Sequence, residues 1–168
     1  MWRAMVLLLT VVGLAGCGSV FPDALLRGVD RSLTLGVLRG DPDRYRQARV
    51  VLAGEIISTR PTTGPTEIEV LGRPLGESDA PRRTDQSEGR FLVMAPDFLD
   101  PAVYASGRRL SVVGTVTGTA ERALGDRSYP YVVIRPDQIY LWARDFAGGP
   151  YPYAGPYPYY GPFWPYYW

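Results

Sequence analysis

Residues 110–117 read Leu110-Ser111-Val112-Val113-Gly114-Thr115-Val116-Thr117. Leu110, Val112, Gly114 and Val116 alternate with Ser111, Val113, Thr115 and Thr117, the period of two that marks a strand with one face against a core. The same alternation runs through residues 66–71, with Ile68 and Val70 expected inward and Glu67 and Glu69 outward. Residues 47–59 place Val50, Leu52 and Ile56 on one face, interrupted by Gly54, and residues 91–95 form a continuous apolar strand. Residues 131–134 resume the pattern beyond a turn at Gly125-Asp126. Residues 139–142 extend that last strand past a bulge at Pro136, because proline cannot donate to a ladder. Gly54 and Gly114 are expected at bulges or tight bends of the kind that close small barrels. Leu33, Leu35 and Leu38 fit a short helix and an extended segment equally well.

An echo joins these pieces. Asp41-Pro42-Asp43-Arg44-Tyr45 is matched by Asp100-Pro101-Ala102-Val103-Tyr104, and each precedes an arginine, Arg49 or Arg108, that opens an apolar strand. Aspartate is a good helix N-cap and proline a good first helical residue, so each copy predicts a helix of one or two turns with its tyrosine placed to pack. Nothing else repeats, and the echo is read as two independent caps. The fold class is therefore mainly all-β: an OB-like, five-stranded, partly open barrel over residues 31–145 with one or two short helices.

Composition removes whole classes of chemistry. The chain of 168 residues contains no histidine and one cysteine, so His-based triads, His metal sites and intrachain disulfides are excluded, and no metal or cofactor is expected. All 18 basic residues are arginine, set against 17 acidic ones, so no sequence-wide basic field exists to grip nucleic acid, and none is expected as a partner.

At the N-terminus, Arg3 precedes an apolar run over residues 4–14, too short to span a bilayer and readable as a secretory signal over residues 1–16. The run ends at Leu14-Ala15-Gly16-Cys17, which resembles the lipobox of bacterial lipoproteins. In that class the chain is cut before the cysteine, whose sulfur and new amino group are acylated, so the resemblance implies Cys17 as the lipidated residue. A sole cysteine in an exported chain has no disulfide partner, which independently favours a capped sulfur. Several acyl chains at about 0.8 kcal/mol per buried CH₂ make a durable anchor. Gly18, where an aspartate would signal retention at the inner membrane, implies the outer membrane, with the body facing the periplasm. Residues 17–30 lack a sustained period and are expected to be a tether.

The body is similar to the Slp family of outer-membrane lipoproteins. The likeness is carried by Asp41-Pro42-Asp43-Arg44-Tyr45 leading into residues 49–56, by Gly89-Arg90-Phe91-Leu92-Val93, and by residues 98–104. It continues through residues 107–114, Tyr129-Pro130-Tyr131 and Ile139-Tyr140-Leu141-Trp142. It implies an address and an architecture and names no ligand.

Residues 146–168 are a different material. From Gly148 onward there is no charge, and Tyr151, Tyr153, Tyr157, Tyr159, Tyr160, Phe163, Trp164, Tyr166, Tyr167 and Trp168 alternate with Gly and Pro. Such a segment is expected to be extended or disordered, with its aromatics either packing loosely on their own barrel or meeting a membrane interface, a glycan or a partner protein.

Two further constellations bear on function. Asp97 and Asp100 could serve a hydrolase as a carboxylate pair, but their position before Pro101 fits turn capping better. The doublets Arg82-Arg83 and Arg108-Arg109 could hold phosphate or carboxylate; the first lies in residues 72–90, read as a solvated hairpin loop. The expected function is a non-enzymatic structural or binding module of the envelope. Alternatives are a periplasmic glycan- or peptide-binding module and, last, a hydrolase using Asp97 and Asp100.

Overall fold

The computed structural model describes residues 18–144. Five strands, β1 (Arg49–Pro61), β2 (Thr66–Arg73), β3 (Gly89–Ala95), β4 (Arg109–Leu124) and β5 (Arg127–Leu141), form a ring in the order β1-β2-β3-β5-β4. All neighbours are antiparallel except β3 and β5, which meet in parallel over Phe91, Leu92 and Val93. This is the expected OB-like order. The ring is hydrogen-bonded all the way round, where a partly open one was expected, and the three-residue parallel seam is its shortest junction.

The alternation read from the sequence becomes the core. Val50, Leu52, Ile56, Ile68, Val70, Phe91, Val93, Leu110, Val112, Val116, Val132 and Ile134 are buried together, each worth about 1.5–3 kcal/mol of transfer free energy. Helix α2 (Leu35–Gly40), started by Thr34 accepting from the Val37 amide, adds Leu35 and Leu38 to that core. α1 (Asp23–Leu26) is a single turn.

Both glycines sit where a side chain has no room. A Cβ on Gly54 would strike the Leu71 carbonyl and lie 2.6 Å from Val70 Cγ1; one on Gly114 would strike the Arg135 carbonyl and lie 3.0 Å from Pro136 Cα. Gly114 is also where the ladder shifts register, pairing with Pro136 while Val113 pairs with Gln138, so Asp137 bulges out. Gly125, with φ of 61°, takes the first central position of the two-residue turn between Leu124 and Arg127, as a II′ hairpin requires.

The echoed Asp-Pro segments fold as turns rather than the expected helices. Their capping logic holds: Asp41 accepts from the Arg44 amide and Asp100 from the Ala102 amide, while Tyr45 and Tyr104 both pack on the core. The short helices lie elsewhere, at α1, α2 and a 3₁₀ turn over Glu77–Asp79.

Candidate functional site

Residues 19–29, read from the sequence as part of a tether, lie against the barrel wall. Phe21 is 3% exposed and packs with Val51 and Val113, which point out of the barrel, and Val29 bridges to Arg49. The Arg49 guanidinium donates to the Leu25 carbonyl at 2.7 Å and pairs with the bulged Asp137 at 2.8 Å.

The seat is fastened by Asp79. Ser78 and Asp79 both hold positive φ, 54° and 62°, a bend that turns the Asp79 carboxyl inward until its side chain is 5% exposed. There it accepts two hydrogen bonds from Arg31, at 2.6 and 3.2 Å, and one from the Ser19 hydroxyl. Burial pushes the Asp79 carboxyl up, but the bonds from Arg31 and Ser19, with the Arg31 charge, outweigh it and hold the group below its ordinary value. The Asp79 carbonyl accepts from the wholly buried Ser111 hydroxyl at 2.6 Å, and the Ser111 oxygen accepts the Trp142 indole N–H at 2.8 Å. The network therefore joins Ser19, ahead of the barrel, to Trp142, just past β5.

From this clamp a furrow runs along the surface as three adjoining clefts. The first is lined by Ser19, Arg31, Asp79 and Arg82. The second, of about 380 Å³, shares Arg82 and adds Arg73, Arg83, Asp85, Glu55 and Arg109. The third, of about 450 Å³, shares Glu55 and Arg109 and adds Arg108 and Arg144. The two arginine doublets, far apart in sequence, thus meet on one surface. Residues 72–90 were expected as a solvated loop; instead Asp79 and Pro81 are buried, and Leu75 pairs with Pro81 in a short bridge that folds the segment onto the wall.

A second polar cluster covers strands β2, β3 and β5. Arg90 pairs with Glu69 at 2.7 Å, and the Tyr131 hydroxyl donates to the same carboxylate at 2.8 Å. Burial, then the Glu69 carboxylate, raises the Tyr131 phenol above its ordinary value. Glu67 pairs with both Arg60 and Arg122, at 3.2 Å each. Every arginine of this cluster is ion-paired to Glu67 or Glu69, three cations on two carboxylates.

Asp97 and Asp100 do not form a site together. Both are exposed; the Asp97 backbone carbonyl accepts from Thr66, the Asp100 carboxylate caps its own turn, and neither lines the furrow. Among the described residues no group of three or more Cys, Asp or Glu is arranged to hold a metal. Also among the described residues, no helix is long and apolar enough to cross a membrane. The lipobox residues Leu14, Ala15, Gly16 and Cys17 and the ten tail aromatics lie outside the described residues.

Comparison with known proteins adds an address. The chain is 27% identical over 131 residues to an uncharacterized lipoprotein, YeaY, of Escherichia coli (strain K12), covering 77% of this chain and 66% of that protein. It is 32% identical over 94 residues to an uncharacterized protein of Haemophilus influenzae, covering 55% of this chain and 51% of the relative. The matched part thus spans just under two thirds of the first relative's length and about half of the second's. Among solved structures, a Plasmodium falciparum SSB complex with ssDNA matches at 13% identity over 56% of this chain and 94% of that one. Its TM-score of 0.33 is too low to bear on function. The model of the outer membrane lipoprotein Slp family matches residues 14–168. With the expected strand order present and nearly the whole chain matched, this protein belongs to the Slp family of outer membrane lipoproteins.

Proposed function

We propose that the chain is a non-enzymatic envelope module, held at the outer membrane by acyl groups on Cys17 with its barrel on the periplasmic side. The observation that carries this reading is the seat of Ser19 on Asp79, two residues beyond Cys17. Two extended residues reach about 7 Å, so lipid on Cys17 brings the barrel to the headgroups with no spacer between. The capping role of Asp100 and the exposure of Asp97 speak against the hydrolase alternative. The tail aromatics, Tyr151 to Trp168, then act as an interfacial or partner contact beside the anchor, since Arg144, just before them, lines the same furrow that begins at Ser19.

Mass spectrometry of the N-terminal peptide from the membrane fraction tests the anchor. The expected product begins at an acylated Cys17, and Cys17→Ala leaves an uncleaved precursor. An unmodified Cys17 or an intact residue 1 would overturn the reading.

A further inference from the structure

We propose that the arginine furrow between Ser19 and Arg144 is the face on which the barrel rests against the membrane, its ligand being the phosphates of anionic lipid headgroups. The inference deepens the reading of Cys17 as the lipid anchor and rests on it.

Charge is the first argument. The chain as a whole carries a net charge of +1. The second and third clefts nonetheless gather Arg73, Arg82, Arg83, Arg108, Arg109 and Arg144 against only two carboxylates, Glu55 and Asp85. A near-neutral protein has concentrated positive charge on this surface, with four more arginines than carboxylates, where the cluster on Glu67 and Glu69 has one more.

How these arginines are held is the second argument. Arg82 donates to the Leu75 carbonyl, Arg144 to the Ala102 carbonyl, and Arg108 to the carbonyls of Val103 and Trp142, at 2.8 and 2.7 Å. Backbone carbonyls orient a guanidinium without cancelling its charge. Arg73 does face a carboxylate, Glu55, at 3.6 Å, while also donating to the Gln86 carbonyl. Arg82, Arg108 and Arg144 are thus oriented cations, and the planar fork of arginine matches phosphate oxygens in pairs.

Position is the third. Ser19 lines the cleft that Arg31 and Arg82 share. Acyl groups on Cys17 place that cleft within about one Debye length, ~8 Å at physiological salt, of the headgroups. The other end of the furrow is Arg144, three residues past the end of β5. The β4–β5 ladder runs away from this region, from Leu110↔Leu141 to Leu124↔Arg127. At about 3.4 Å per residue its tip at Asp126 lies about 50 Å along the strand.

The test uses the mature lipidated full chain in phosphatidylcholine vesicles with and without phosphatidylglycerol. An environment-sensitive fluorophore is attached at Ser106→Cys, beside Arg108 in the third cleft, or at Asp126→Cys on the hairpin tip. A headgroup spin-labelled lipid quenches it. Quenching at position 106 should exceed that at 126, and the excess should grow when phosphatidylglycerol is present. Each basic charge near an anionic surface is worth roughly a fivefold shift in population, so Arg82→Gln with Arg83→Gln should lower the phosphatidylglycerol-dependent population by roughly 25-fold. Arg144→Gln, outside every strand, should lower it by roughly fivefold with unchanged thermal melting, which separates lost charge from a disturbed loop. Flotation with vesicles but equal quenching at the two positions, or an excess indifferent to phosphatidylglycerol, overturns this proposal and leaves the anchor standing. Loss of the excess on adding inorganic phosphate at fixed ionic strength assigns the furrow to a soluble anion and overturns the membrane assignment. Failure of the wild type to float overturns both.

Discussion

Asp79→Asn is the substitution that most directly tests how the N-terminal segment is held. The amide keeps the side-chain volume and tolerates the φ of 62° found there, so the bend and the Ser111 bond to the backbone carbonyl should survive. Lost are the negative charge and at least one of the three side-chain bonds, from Arg31 at 2.6 and 3.2 Å and from Ser19. Hydrogen bonds to charged groups are worth about 1.5–3 kcal/mol, discounted here because the Arg31 side chain is 50% exposed and partly screened by solvent. The expected cost is about 1–2 kcal/mol, or roughly 5–30-fold in the population of the unseated segment. Hydrogen exchange by mass spectrometry should show residues 19–31 exchanging faster by that factor while β1, β2 and β3 keep their protection. The same bond sets a pH dependence. The folded Asp79 carboxyl lies below its ordinary value, so between the two values the unseated chain binds more protons and stability rises with pH. The contribution is complete well above about pH 4 and is lost on acidification below it; the asparagine variant should lose this part of the pH dependence and keep that of Asp30, whose carboxyl the Ser32 hydroxyl and amide also hold low. Unchanged exchange at residues 19–31, or equal acceleration throughout the barrel, would refute the reasoning.

The remaining predictions concern the barrel. Gly54→Ala and Gly114→Ala force a Cβ onto the carbonyls of Leu71 and Arg135 and should each cost about 1–3 kcal/mol in urea unfolding. Gly36→Ala in α2 makes only an ordinary 3.7 Å contact with Thr34 and should be neutral or stabilising by up to about 1 kcal/mol. Tyr131→Phe removes one of the bonds to Glu69 but leaves the Arg90 pair, for a loss of about 1 kcal/mol; in a spectrophotometric titration it should delete the phenol that ionises above the ordinary tyrosine range. Trp142→Phe keeps the edge-to-face contact with Tyr140 but leaves Ser111 without its indole donor, and thermal melting should fall by a few degrees, about 1 kcal/mol.

What was legible in the sequence was whatever has a period. Ile68 and Val70 inward, the bulge at Pro136 and the turn at Gly125-Asp126 follow from alternation, a missing N–H and a required positive φ. The outer half of the β4–β5 hairpin was invisible, because Thr119, Glu121, Arg122 and Ser128 have no core to face and so carry no alternation. Asp79 was missed for a different reason. One acid among Glu77, Ser78 and Asp85 looks solvated, and only the two positive-φ residues that turn it inward make it the clamp. Ser19 and Arg31 carry no signal of their own, since their role depends on a partner 60 or 48 residues away. The arginine doublets were visible as doublets, but their meeting required the ring to close and bring the start of β4 beside the β2–β3 connection.

Closing the network through Ser111 has a mechanical consequence. If the anchor is held in the membrane and a partner pulls on the segment after Arg144, the shortest load path runs from Ser19 through Asp79 and the Ser111 hydroxyl to Trp142. That path is a few side-chain and carbonyl bonds long and touches the ladders of the barrel only at the open end of the β4–β5 pair, where Ser111 faces Tyr140. Tension between these two points would open the clamp and then peel residues 19–31 from the wall, drawing Phe21 from its seat and breaking the Leu25–Arg49 bond, before the ladders of the ring give way. The barrel would behave as a bead strung by its two ends through one knot, with a fuse that yields before the fold does.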